Sequence, residues 1–442
     1  MKRELLDKIL SKRCVVGVLG LGYVGLPIAA LFASRGFRVL GGDVRREVVE
    51  GVNKGQPIIE EKGLGLLVRQ GVEAGRLRAT LDLEGLVRES DAVFVVVQTP
   101  IDEAKRPDLR VLEAACRTVA QGLGRGKLVV LESTIPPGTV EGLVIPTLEA
   151  SGLKAGADFY LAYSPERAIP TRTLEEIQEN GRVVGGIDEE SAALAVELYG
   201  HLTRGELVVA DVRTAEVVKV IENTYRDVNI ALANEIALFC ERLGVDALEA
   251  IRLANMHPRV DILLPGPGVG GHCIPKDPYF LLYKAQELGL ELSLVKAARA
   301  RNEAMPEHVF RMVEEALGSV EKEVRNSKVS ILGVAYKGGT DDVRATPSEG
   351  LIKRLMAAQC QVFSHDPYAK RDFGGKFSNR LEEAVAGADC VVIMTDHEQY
   401  RALDMAQIAR LMKKPGVIVD GRRVLDPNAV KKQGMGYFGI GL

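Results

Sequence analysis

The sequence has no pair of cysteines at CxxC spacing, although it contains six cysteines, at positions 14, 116, 240, 273, 360 and 390. This scatter argues against a disulfide framework and a zinc ribbon, and it is typical of a reducing cytoplasm. No apolar run reaches the length that spans a bilayer. The first residues, MKRELLDKILSKR, lack the apolar core of a secretory signal. We therefore expect a cytoplasmic protein with no membrane partner.

An excess of charge of one sign is also missing. Lys and Arg total 57 and Asp and Glu total 60, which gives a net charge of -3. A nucleic-acid-binding surface usually brings a basic surplus, so we expect no nucleic-acid partner. The 442 residues, 46% hydrophobic and 26% charged, are typical of a globular protein too long for one ordinary core.

Short β-branched runs alternate with helical patterns at both ends of the chain. The predicted strands are residues 14–20, 38–43, 92–100, 127–134, 159–166, 328–336, 360–367, 388–396 and 416–423. Such alternation predicts βαβ units and a parallel sheet. Residues 212–243 carry one helical pattern without proline or glycine. We expect an α/β fold in which a helical part, 206–305, joins α/β domains at 1–205 and 306–442 through one long central helix.

GLGYVG, residues 20–25, lies between a β-branched strand and a helical stretch. In a Rossmann-like domain the first glycine allows a tight turn, the second admits the pyrophosphate, and the third lets helix and strand pack closely. Asp43 follows 18 residues later, where an acid bonds the ribose 2′-OH and favours NAD over NADP. Arg45 and Arg46 keep NADP open, and a turn without a ligand is the alternative. The predicted cofactor site comprises Gly20, Gly22, Tyr23, Val24, Gly25 and Asp43.

Three further motifs end predicted strands of the same sheet. They place Thr99 in QTP, Thr134 in STIPPGT and Glu166 in SPER. Ligands bind at the carboxyl ends of parallel strands, so both threonines are candidates for cofactor contact, and Glu166 is a candidate general base. The alternatives are ordinary turn chemistry for the threonines and a helix-start or salt-bridging role for the glutamate.

Lys219 and Asn223 are four residues apart on the predicted long helix and share a face. A lysine beside an amide is suited to holding an oxyanion. A solvated surface lysine is the alternative.

Residues 265–278, PGPGVGGHCIPKDP, surround Cys273 with glycine and proline. The glycines, Gly270 among them, let backbone approach a ligand, so Cys273 is a candidate nucleophile, with Asp277 four residues later. The other five cysteines lie in apolar contexts and are predicted to be buried. A structural cysteine or a metal site with His272 is the alternative, but no second Cys/His pair stands at ligand spacing, so we predict no metal.

The third part contains YKGGTDDVRATP, residues 336–347, which is typical of a second glycine turn after a strand. Lys337, Arg344 and the later Arg422 are candidate contacts for a phosphorylated ligand. The alternative is that these three residues are ordinary charged surface residues without a ligand.

Taken in order, these motifs resemble the UDP-glucose/GDP-mannose dehydrogenase family over essentially the full chain. GLGYVG, QTP, STIPPGT, SPER, KxxxN, ANEIA, GVGGHCIPKDP and YKGGTDDVR all match. The stretches ANMHPRVDILLPGPGVGGHC and SPERAIP are most similar to the N-acetylhexosamine branch. Arg167 follows Glu166 where the UDP-glucose branch usually has phenylalanine, which argues against UDP-glucose. The resemblance favours UDP-N-acetyl-D-mannosamine as substrate, with UDP-N-acetylglucosamine and UDP-glucose as alternatives.

The resemblance implies an NAD-dependent, four-electron oxidation of a sugar C6 hydroxyl to the uronate. In such enzymes a cysteine, here Cys273, forms a thiohemiacetal and then a thioester. It implies that Lys219 and Asn223 stabilise oxyanions, that Glu166 and Asp277 act on protons and water, and that Thr134 positions the water. The substrate contacts it implies are Glu166, Arg167, Lys219, Asn223, Arg259, Gly270, Lys337 and Arg422.

The resemblance also assigns a role to each part of the chain. Residues 1–205 would bind NAD, 206–305 would form a homodimer or a dimer-based oligomer, and 306–442 would bind the UDP-sugar. Arg259 would reach the neighbouring subunit's substrate. Two other classes remain as alternatives: a two-electron dehydrogenase on a similar frame, and an NAD-binding protein without chemistry. One NADH per sugar would indicate the first, and NAD binding without turnover would indicate the second.

Overall fold

The computed structural model describes residues 2–59, 61–169 and 172–442. The chain forms two compact units, the first comprising residues 1–222 and 279–290 and the second comprising 223–278 and 291–442. Within the described ranges, no helix is both long enough and apolar enough to cross a membrane.

The first unit is built on an eight-stranded sheet. Its strands are β1 (Val15–Leu19), β2 (Arg38–Gly42), β3 (Leu77–Thr80), β4 (Ala92–Val95), β5 (Leu128–Leu131), β6 (Tyr160–Tyr163), β7 (Arg182–Gly186) and β8 (Leu207–Asp211). The order is β3-β2-β1-β4-β5-β6-β7-β8, and every neighbouring pair is parallel except β6 and β7. The first six strands therefore have the Rossmann order.

Helices cover this sheet because its central strands are apolar and buried on both faces. The helices are α1 (Lys2–Leu10), α2 (Gly25–Ser34), α3 (Arg46–Asn53), α4 (Leu64–Glu73), α5 (Leu83–Glu89), α6 (Arg110–Gly122), α7 (Ile145–Glu149), α8 (Thr173–Glu179) and α9 (Glu189–Tyr199), with a π-helical turn at Val140–Val144. Along β4, Phe94 joins one buried cluster, while Val93 and Val95 join another. Alternate residues of a strand point to opposite faces, so one short run serves two cores.

Four helices follow the first sheet: α10 (Val212–Leu243), α11 (Ala247–Ala254), α12 (Asp277–Glu287) and α13 (Ser293–Gly318). The bounds of α10 confirm the long helix predicted at 212–243. Asp246 caps α11 by accepting hydrogen bonds from the backbone N–H groups of Leu248 and Glu249.

The second unit contains a six-stranded sheet, and all its strand pairs are parallel. The strands are β9 (Lys328–Leu332), β10 (Gln361–His365), β11 (Lys376–Phe377), β12 (Cys390–Ile393), β13 (Val417–Asp420) and β14 (Gly436–Gly439), in the order β11-β10-β9-β12-β13-β14. The helices that follow β9 in the chain are α14 (Pro347–Ala357), α15 (Leu381–Val385), α16 (Glu398–Arg401), α17 (Met405–Leu411) and α18 (Pro427–Lys432). This order repeats the Rossmann order, so the predicted fold class is confirmed.

Each strand predicted from the sequence is present, and each is shorter than predicted because its last residues, and in most strands also the first one or two, lie in loops. Five strands were not predicted: β3, β7, β8, β11 and β14. They are short or interrupted by charge and glycine, as in LRAT, RVVGG and KF. β8 lies beyond residue 205, where the sequence analysis ended the first domain, and it still pairs with the first sheet.

Candidate active site

The GLGYVG loop joins β1 to α2 and leaves one glycine facing open space. A Cβ on Gly20 would lie 2.1 Å from the carbonyl oxygen of Val96, and one on Gly25 would lie 1.9 Å from the carbonyl oxygen of Gly20. A Cβ on Gly22 would meet nothing within 4 Å. The outer two glycines are therefore required by packing, whereas Gly22 leaves room where a pyrophosphate would approach the start of α2.

Asp43 fixes the loop from the end of β2. One carboxylate oxygen accepts the backbone N–H of Leu21 at 3.1 Å, and the other accepts the backbone N–H of Arg45 at 2.9 Å. The carboxylate is buried beside the loop, at the position from which it would bond a ribose hydroxyl. The loop and Asp43 thus fit an NAD molecule. The Arg45 side chain pairs with Asp43, Nε to Oδ1 at 3.4 Å.

The ends of β4 and β5 are joined by two hydroxyl groups. Ser133 Oγ donates to the carbonyl oxygen of Val97 at 2.6 Å and accepts the N–H of the same residue at 2.9 Å. Thr99 Oγ1 donates to the carbonyl oxygen of Thr134 at 2.6 Å. Both predicted threonines therefore lie at one edge of the first sheet. Thr99 is buried and Thr134 is half-buried.

Glu166 lies in a buried cluster with a second carboxylate, Glu132, and one guanidinium, Arg182. Arg182 bonds Glu132 at 3.0 Å through one nitrogen and pairs with Glu166 through the other. Tyr199 donates its hydroxyl to Glu132 at 2.5 Å. The other oxygen of Glu166 accepts the backbone N–H groups of Arg167 and Ala168 at 2.6 and 2.8 Å. Both oxygens of Glu166 therefore already have hydrogen-bond donors.

Arg167 has partners of its own in the first unit. It pairs with Glu222 at 2.5 Å and donates to the carbonyl oxygen of Gly181 at 3.0 Å. A substrate anion would therefore compete with Glu222 for this guanidinium.

Lys219 is buried on α10. Among the described residues, no hydrogen bond or ion pair to its ammonium group is found. An ammonium group on this side of α10 is suited to a ligand oxygen. Glu216, one turn earlier, accepts the N–H groups of Gly138 and Val140 at 2.5 and 2.8 Å. It thereby ties the loop that carries Thr134 to α10.

Asn223 and Asp277 are bonded to each other in the second unit. The Asn223 amide nitrogen donates to Asp277 Oδ2 at 2.6 Å, and both side chains are buried. Lys276 Nζ lies 3.0 Å from the other oxygen of Asp277. The amide oxygen of Asn223 is thus oriented by its bond to Asp277, and the charge of Asp277 is balanced by Lys276.

Cys273 differs from the other cysteines in exposure. It is partly exposed, and the other five are buried, which confirms that prediction. Burial raises the pKa of Cys14, Cys116 and Cys360 to about 12, so these thiols stay protonated. The backbone carbonyl of Cys273 accepts the N–H groups of Lys276 and Asp277 at 3.0 and 2.8 Å. This places Cys273 just before the start of α12.

The glycine loop before Cys273 packs on the segment 336–344 of the same unit. A Cβ on Gly270 would lie 2.6 Å from Tyr336 Cβ, and one on Gly271 would lie 2.9 Å from its ring. The Gly271 N–H donates to the carbonyl oxygen of Arg344 at 2.9 Å. Glycine is therefore needed here for close packing between loops.

His272 lies beside a carboxylate that the sequence analysis did not select. Its Nδ1 is 3.8 Å from Asp342 Oδ2. Arg344 binds the same carboxylate through Nε at 2.9 Å and Nη2 at 2.6 Å. Burial opposes the charge on His272, but Asp342 and the Cys273 thiol outweigh it and raise its pKa to about 9.

The remaining predicted contacts lie in different surroundings of the second unit. Arg422 donates to the carbonyl oxygens of Met394 and Tyr336 at 3.1 and 3.0 Å. Lys337, on the segment that packs against the glycine loop, is half-buried. Arg259 is exposed, and its Nη2 lies 3.4 Å from His257 Nε2.

Sequence reasoning missed Glu132, Arg182 and Asp342. Glu132 directly precedes the STIPPGT motif, where a carboxylate within an apolar strand end was an available signal. Arg182 is a single arginine at the start of a strand that was itself not predicted. Asp342 lies within the quoted YKGGTDDVR motif, but its pairing with His272 joins residues 70 positions apart.

Two Rossmann-type sheets, a cofactor loop and an accessible thiol in a glycine loop define an NAD-dependent oxidoreductase. Family models support this class. The NAD-binding domain of the UDP-glucose/GDP-mannose dehydrogenase family matches residues 14–203, its central domain matches 213–304, and its UDP-binding domain matches 330–427. The chain belongs to this family and is an NAD-dependent nucleotide-sugar dehydrogenase.

Individual relatives match this chain over nearly its full length and nearly the full length of their own chains. The UDP-N-acetyl-D-mannosamine dehydrogenase of Pyrococcus horikoshii is 42% identical over 428 residues, 96% of this chain and 99% of the relative. Its solved structure superposes with a TM-score of 0.91, covering 97% of this chain and 99% of that one. The NDP-N-acetyl-D-galactosaminuronic acid dehydrogenase of Methanosarcina mazei has a TM-score of 0.85 at 39% identity, covering 99% and 97%. The UDP-glucose dehydrogenase of Pyrobaculum islandicum has a TM-score of 0.88 at 33% identity, covering 97% and 98%.

Proposed function

We propose that this enzyme oxidises the C6 hydroxyl of a UDP-N-acetylhexosamine to the carboxylate, with UDP-N-acetyl-D-mannosamine as its substrate. The observation that supports a four-electron reaction is that Cys273 is the one partly exposed cysteine and lies in a glycine loop. A two-electron alcohol oxidation needs no thiol. The choice of sugar is supported by the Pyrococcus horikoshii relative, which is named UDP-N-acetyl-D-mannosamine dehydrogenase and is 42% identical.

The first unit fits the cofactor. The loop from Gly20 to Gly25 and the carboxylate of Asp43 would hold NAD, with Thr99 and Thr134 at the same sheet edge. When bound, NAD accepts one hydride from the substrate carbon in each oxidation. The residues of the chain supply orientation, charge and the nucleophile.

In the first oxidation, the C6 alcohol loses a proton and a hydride and becomes an aldehyde. The buried ammonium of Lys219 stabilises the negative charge that develops on the C6 oxygen. Asn223, one helical turn later, would donate the second N–H of its amide to the same oxygen, because the first is bonded to Asp277. This step consumes one NAD.

In the second oxidation, the Cys273 thiolate adds to the aldehyde carbon and forms a thiohemiacetal. Loss of the C6 hydride to a second NAD gives a thioester. Water then adds to the thioester carbonyl, the carbon–sulfur bond breaks, and the thiol is regenerated. The sum is one alcohol, two NAD and one water giving one carboxylate, two NADH and three protons.

The contacts of the two candidate carboxylates differ, and this difference supports a different role for each. Glu166 is tied by Arg182 and two backbone N–H groups, so we assign it the orientation of substrate and water. Asp277 is paired with Lys276 and bonded to Asn223, and we assign it the activation of water. Thr134 positions that water.

We also propose that two copies of the chain pair through α10. The helix leaves a stripe of apolar side chains at least half exposed: Ile221, Tyr225, Leu232, Phe239 and Leu243. With Tyr225, Leu232 and Phe239 at the a position of a heptad, Ile221 falls at d and Leu243 at e, so four of the five follow the a and d pattern of two helices packed along a seam. Arg259, which is exposed in the second unit, would serve the partner's substrate.

We retain the three-part assignment as part of the proposal: residues 1–205 for NAD, 206–305 for pairing and 306–442 for the UDP-sugar. The family-model ranges support it. Lys337 and Arg422 would contact the diphosphate, and Gly270 and Arg167 the sugar side.

The test is the ratio of NADH to sugar. We expect two NADH per UDP-N-acetyl-D-mannosamine and a product with the mass of the uronate. UDP-N-acetylglucosamine, UDP-glucose and UDP-galactose complete the panel, and a faster rate on one of them would replace the proposed sugar. Cys273→Ser should form no acid, whereas Cys240→Ala, at a buried cysteine, should keep the ratio of two. One NADH per sugar in the wild type would contradict the proposal.

A further inference from the structure

We propose that His397 is a positioning residue for the UDP part of the substrate, because it holds the turn that carries Lys337. The inference rests on the proposed contact between Lys337 and the diphosphate. It adds the group that keeps this lysine in place before the ligand binds. We call residues 336–339 the YKGG turn and residues 395–397 the TDH segment.

The two segments lie where the strand order of the second sheet reverses. β9 and β12 are neighbours at its centre, with β10 on the other side of β9 and β13 on the other side of β12. In such sheets, ligands bind in the crevice outside the carboxyl ends of the strands at this reversal. The YKGG turn follows β9 and the TDH segment follows β12, so contacts between them shape the ligand crevice.

Each side chain of the TDH segment bonds the backbone of the loop that follows β9. Thr395 Oγ1 donates to the carbonyl oxygen of Ala335 at 2.6 Å. Asp396 Oδ1 accepts the N–H of Gly338 at 2.9 Å. His397 Nδ1 accepts the N–H of the next glycine, Gly339, at 3.1 Å. Three consecutive side chains therefore hold the loop before and after the lysine of the YKGG turn.

A second buried contact fixes the orientation of the His397 ring. The backbone N–H of Gly339 can only donate, which assigns Nδ1 as the acceptor and leaves the ring proton on Nε2. Nε2 lies 3.0 Å from Asp366 Oδ2, and both side chains are fully buried. The same oxygen of Asp366 accepts the backbone N–H groups of Val334 and Ala335 at 2.8 and 3.0 Å. The imidazole therefore joins the turn to a carboxylate that also binds the start of the loop.

The consequence for ligand binding concerns Lys337. A Cβ on Gly338 would lie 2.5 Å from the carbonyl oxygen of Asp396, so the turn packs closely on the TDH segment. The N–H groups of both glycines of the turn are bonded to side chains, so the charge of Lys337 is what this turn brings to a diphosphate. A cation whose backbone is fixed before binding loses less conformational entropy when the ligand arrives.

Arg422, the second proposed contact for the diphosphate, depends on the same arrangement. It donates to the carbonyl oxygen of Met394, directly before the TDH segment, at 3.1 Å. It also donates to the carbonyl oxygen of Tyr336, the first residue of the YKGG turn, at 3.0 Å. Displacement of the turn would therefore disturb both cations that the proposed function assigns to the diphosphate.

The experiment measures UDP and NAD binding to the full-length protein by calorimetry, in variants that each retain one of the two imidazole contacts. His397→Asn places an amide oxygen near the position of Nδ1, where it accepts from Gly339, but the side chain is too short to bond Asp366. His397→Gln extends its amide nitrogen toward Asp366 and leaves the Gly339 N–H without its acceptor. We expect His397→Gln to weaken UDP binding by roughly tenfold or more, and His397→Asn to keep the UDP Kd within about threefold. Neither variant should change the Kd for NAD.

A matched control is Val392→Ala, which removes two methyl groups from the buried core of β12 and leaves the polar contacts of both segments in place. It should lower the melting temperature and leave the UDP Kd unchanged. An equal weakening of UDP binding in His397→Asn and His397→Gln, or in His397→Gln and Val392→Ala, would overturn the inference. Such a result would mean that His397 acts only on the stability of the fold.

A measurement on the wild type keeps the inference testable should His397→Gln not fold. Hydrogen exchange at Gly338 and Gly339 in the UDP-free protein should be slow, because both N–H groups are bonded before any ligand binds. Fast exchange that only UDP slows would show that the ligand, and not the TDH segment, orders the turn. A wild type that binds no UDP would also contradict the inference.

The outcome is separable from that of the proposed function, because UDP binding is measured without turnover. If the two His397 variants behave as described but no UDP-sugar is oxidised, the inference stands and the assigned reaction is wrong. If the sugar is oxidised with two NADH and His397→Gln binds UDP as the wild type does, the reaction stands and the inference is wrong. In an active enzyme, His397→Gln should raise the KM for the UDP-sugar about tenfold with little change in kcat, and the ratio of NADH to sugar should stay at two.

Discussion

At the scale of single residues, glycine is required at different positions of the cofactor loop for two different physical reasons. Gly20 and Gly25 face backbone oxygens that a Cβ would strike, so they are required for the loop to form. Gly22 faces open space in the protein and is required only when another molecule lies against it. One motif thus combines a requirement of folding with a requirement of binding.

This difference predicts opposite results for two substitutions. Gly25→Ala should destabilise the protein by about 1–3 kcal/mol or more, because the methyl group has no space. Gly22→Ala should leave the melting temperature of the NAD-free protein unchanged and weaken NAD binding at least tenfold, about 1.4 kcal/mol. Thermal unfolding and calorimetric titration with NAD measure the two quantities. Equal loss of stability in both variants would show that Gly22 is also a packing position.

At the scale of elements, α10 combines a polar buried face with an apolar exposed one. Glu216, Lys219, Asn223 and Asp227 are buried, while the stripe from Ile221 to Leu243 is exposed. The ordinary surface helix has the reverse arrangement. A buried polar face suits a helix that holds loops and ligands, and an exposed apolar face suits one that pairs with a second copy.

Glu216 predicts a pH dependence for the contact between α10 and the loop that carries Thr134. Burial raises the pKa of Glu216 to about 7 despite the two N–H donors, from 4.5 in the unfolded chain. Between these values the folded form binds the proton more tightly, so stability from this group falls as pH rises. The contribution of Glu216 to the free energy of unfolding therefore decreases by roughly 3 kcal/mol between about pH 4.5 and 7. Above pH 7 it does not change further.

Hydrogen exchange at Gly138 and Val140 provides the local measurement. The opening free energy of the wild type minus that of Glu216→Gln should decrease across this window. Glu141→Gln, at the exposed neighbour that raises the Glu216 pKa, should shift the window only slightly downward. A difference that stays flat from pH 4.5 to 7.5 would show that Glu216 keeps an ordinary pKa.

At the scale of the whole molecule, the chain carries two sheets with the same central strand order, one in each compact unit. The family models assign NAD to the first and UDP to the second. Each unit has its own buried core, so the ligand of each unit should stabilise that unit against unfolding.

This division predicts two separate ligand effects on thermal unfolding of the full chain. NAD at 100 times its Kd should stabilise its unit by about 2.7 kcal/mol, and UDP at the same ratio should do so for the other. Gly22→Ala should lose the NAD effect at that NAD concentration and keep the UDP effect. Loss of both effects in this variant would mean that UDP binding depends on the cofactor loop.

The sequence by itself determined the order of the main elements, the bounds of α10 and the choice of Cys273 among six cysteines. These follow from periodicity, from absent glycine and proline, and from local context, which are properties of neighbouring residues. Only the tertiary structure decided that Arg182 joins Glu132 to Glu166, that Glu216 holds the Thr134 loop, and that Asp342 faces His272. Charges of this kind pair through space across tens of residues, and a linear pattern records burial but not the identity of the partner.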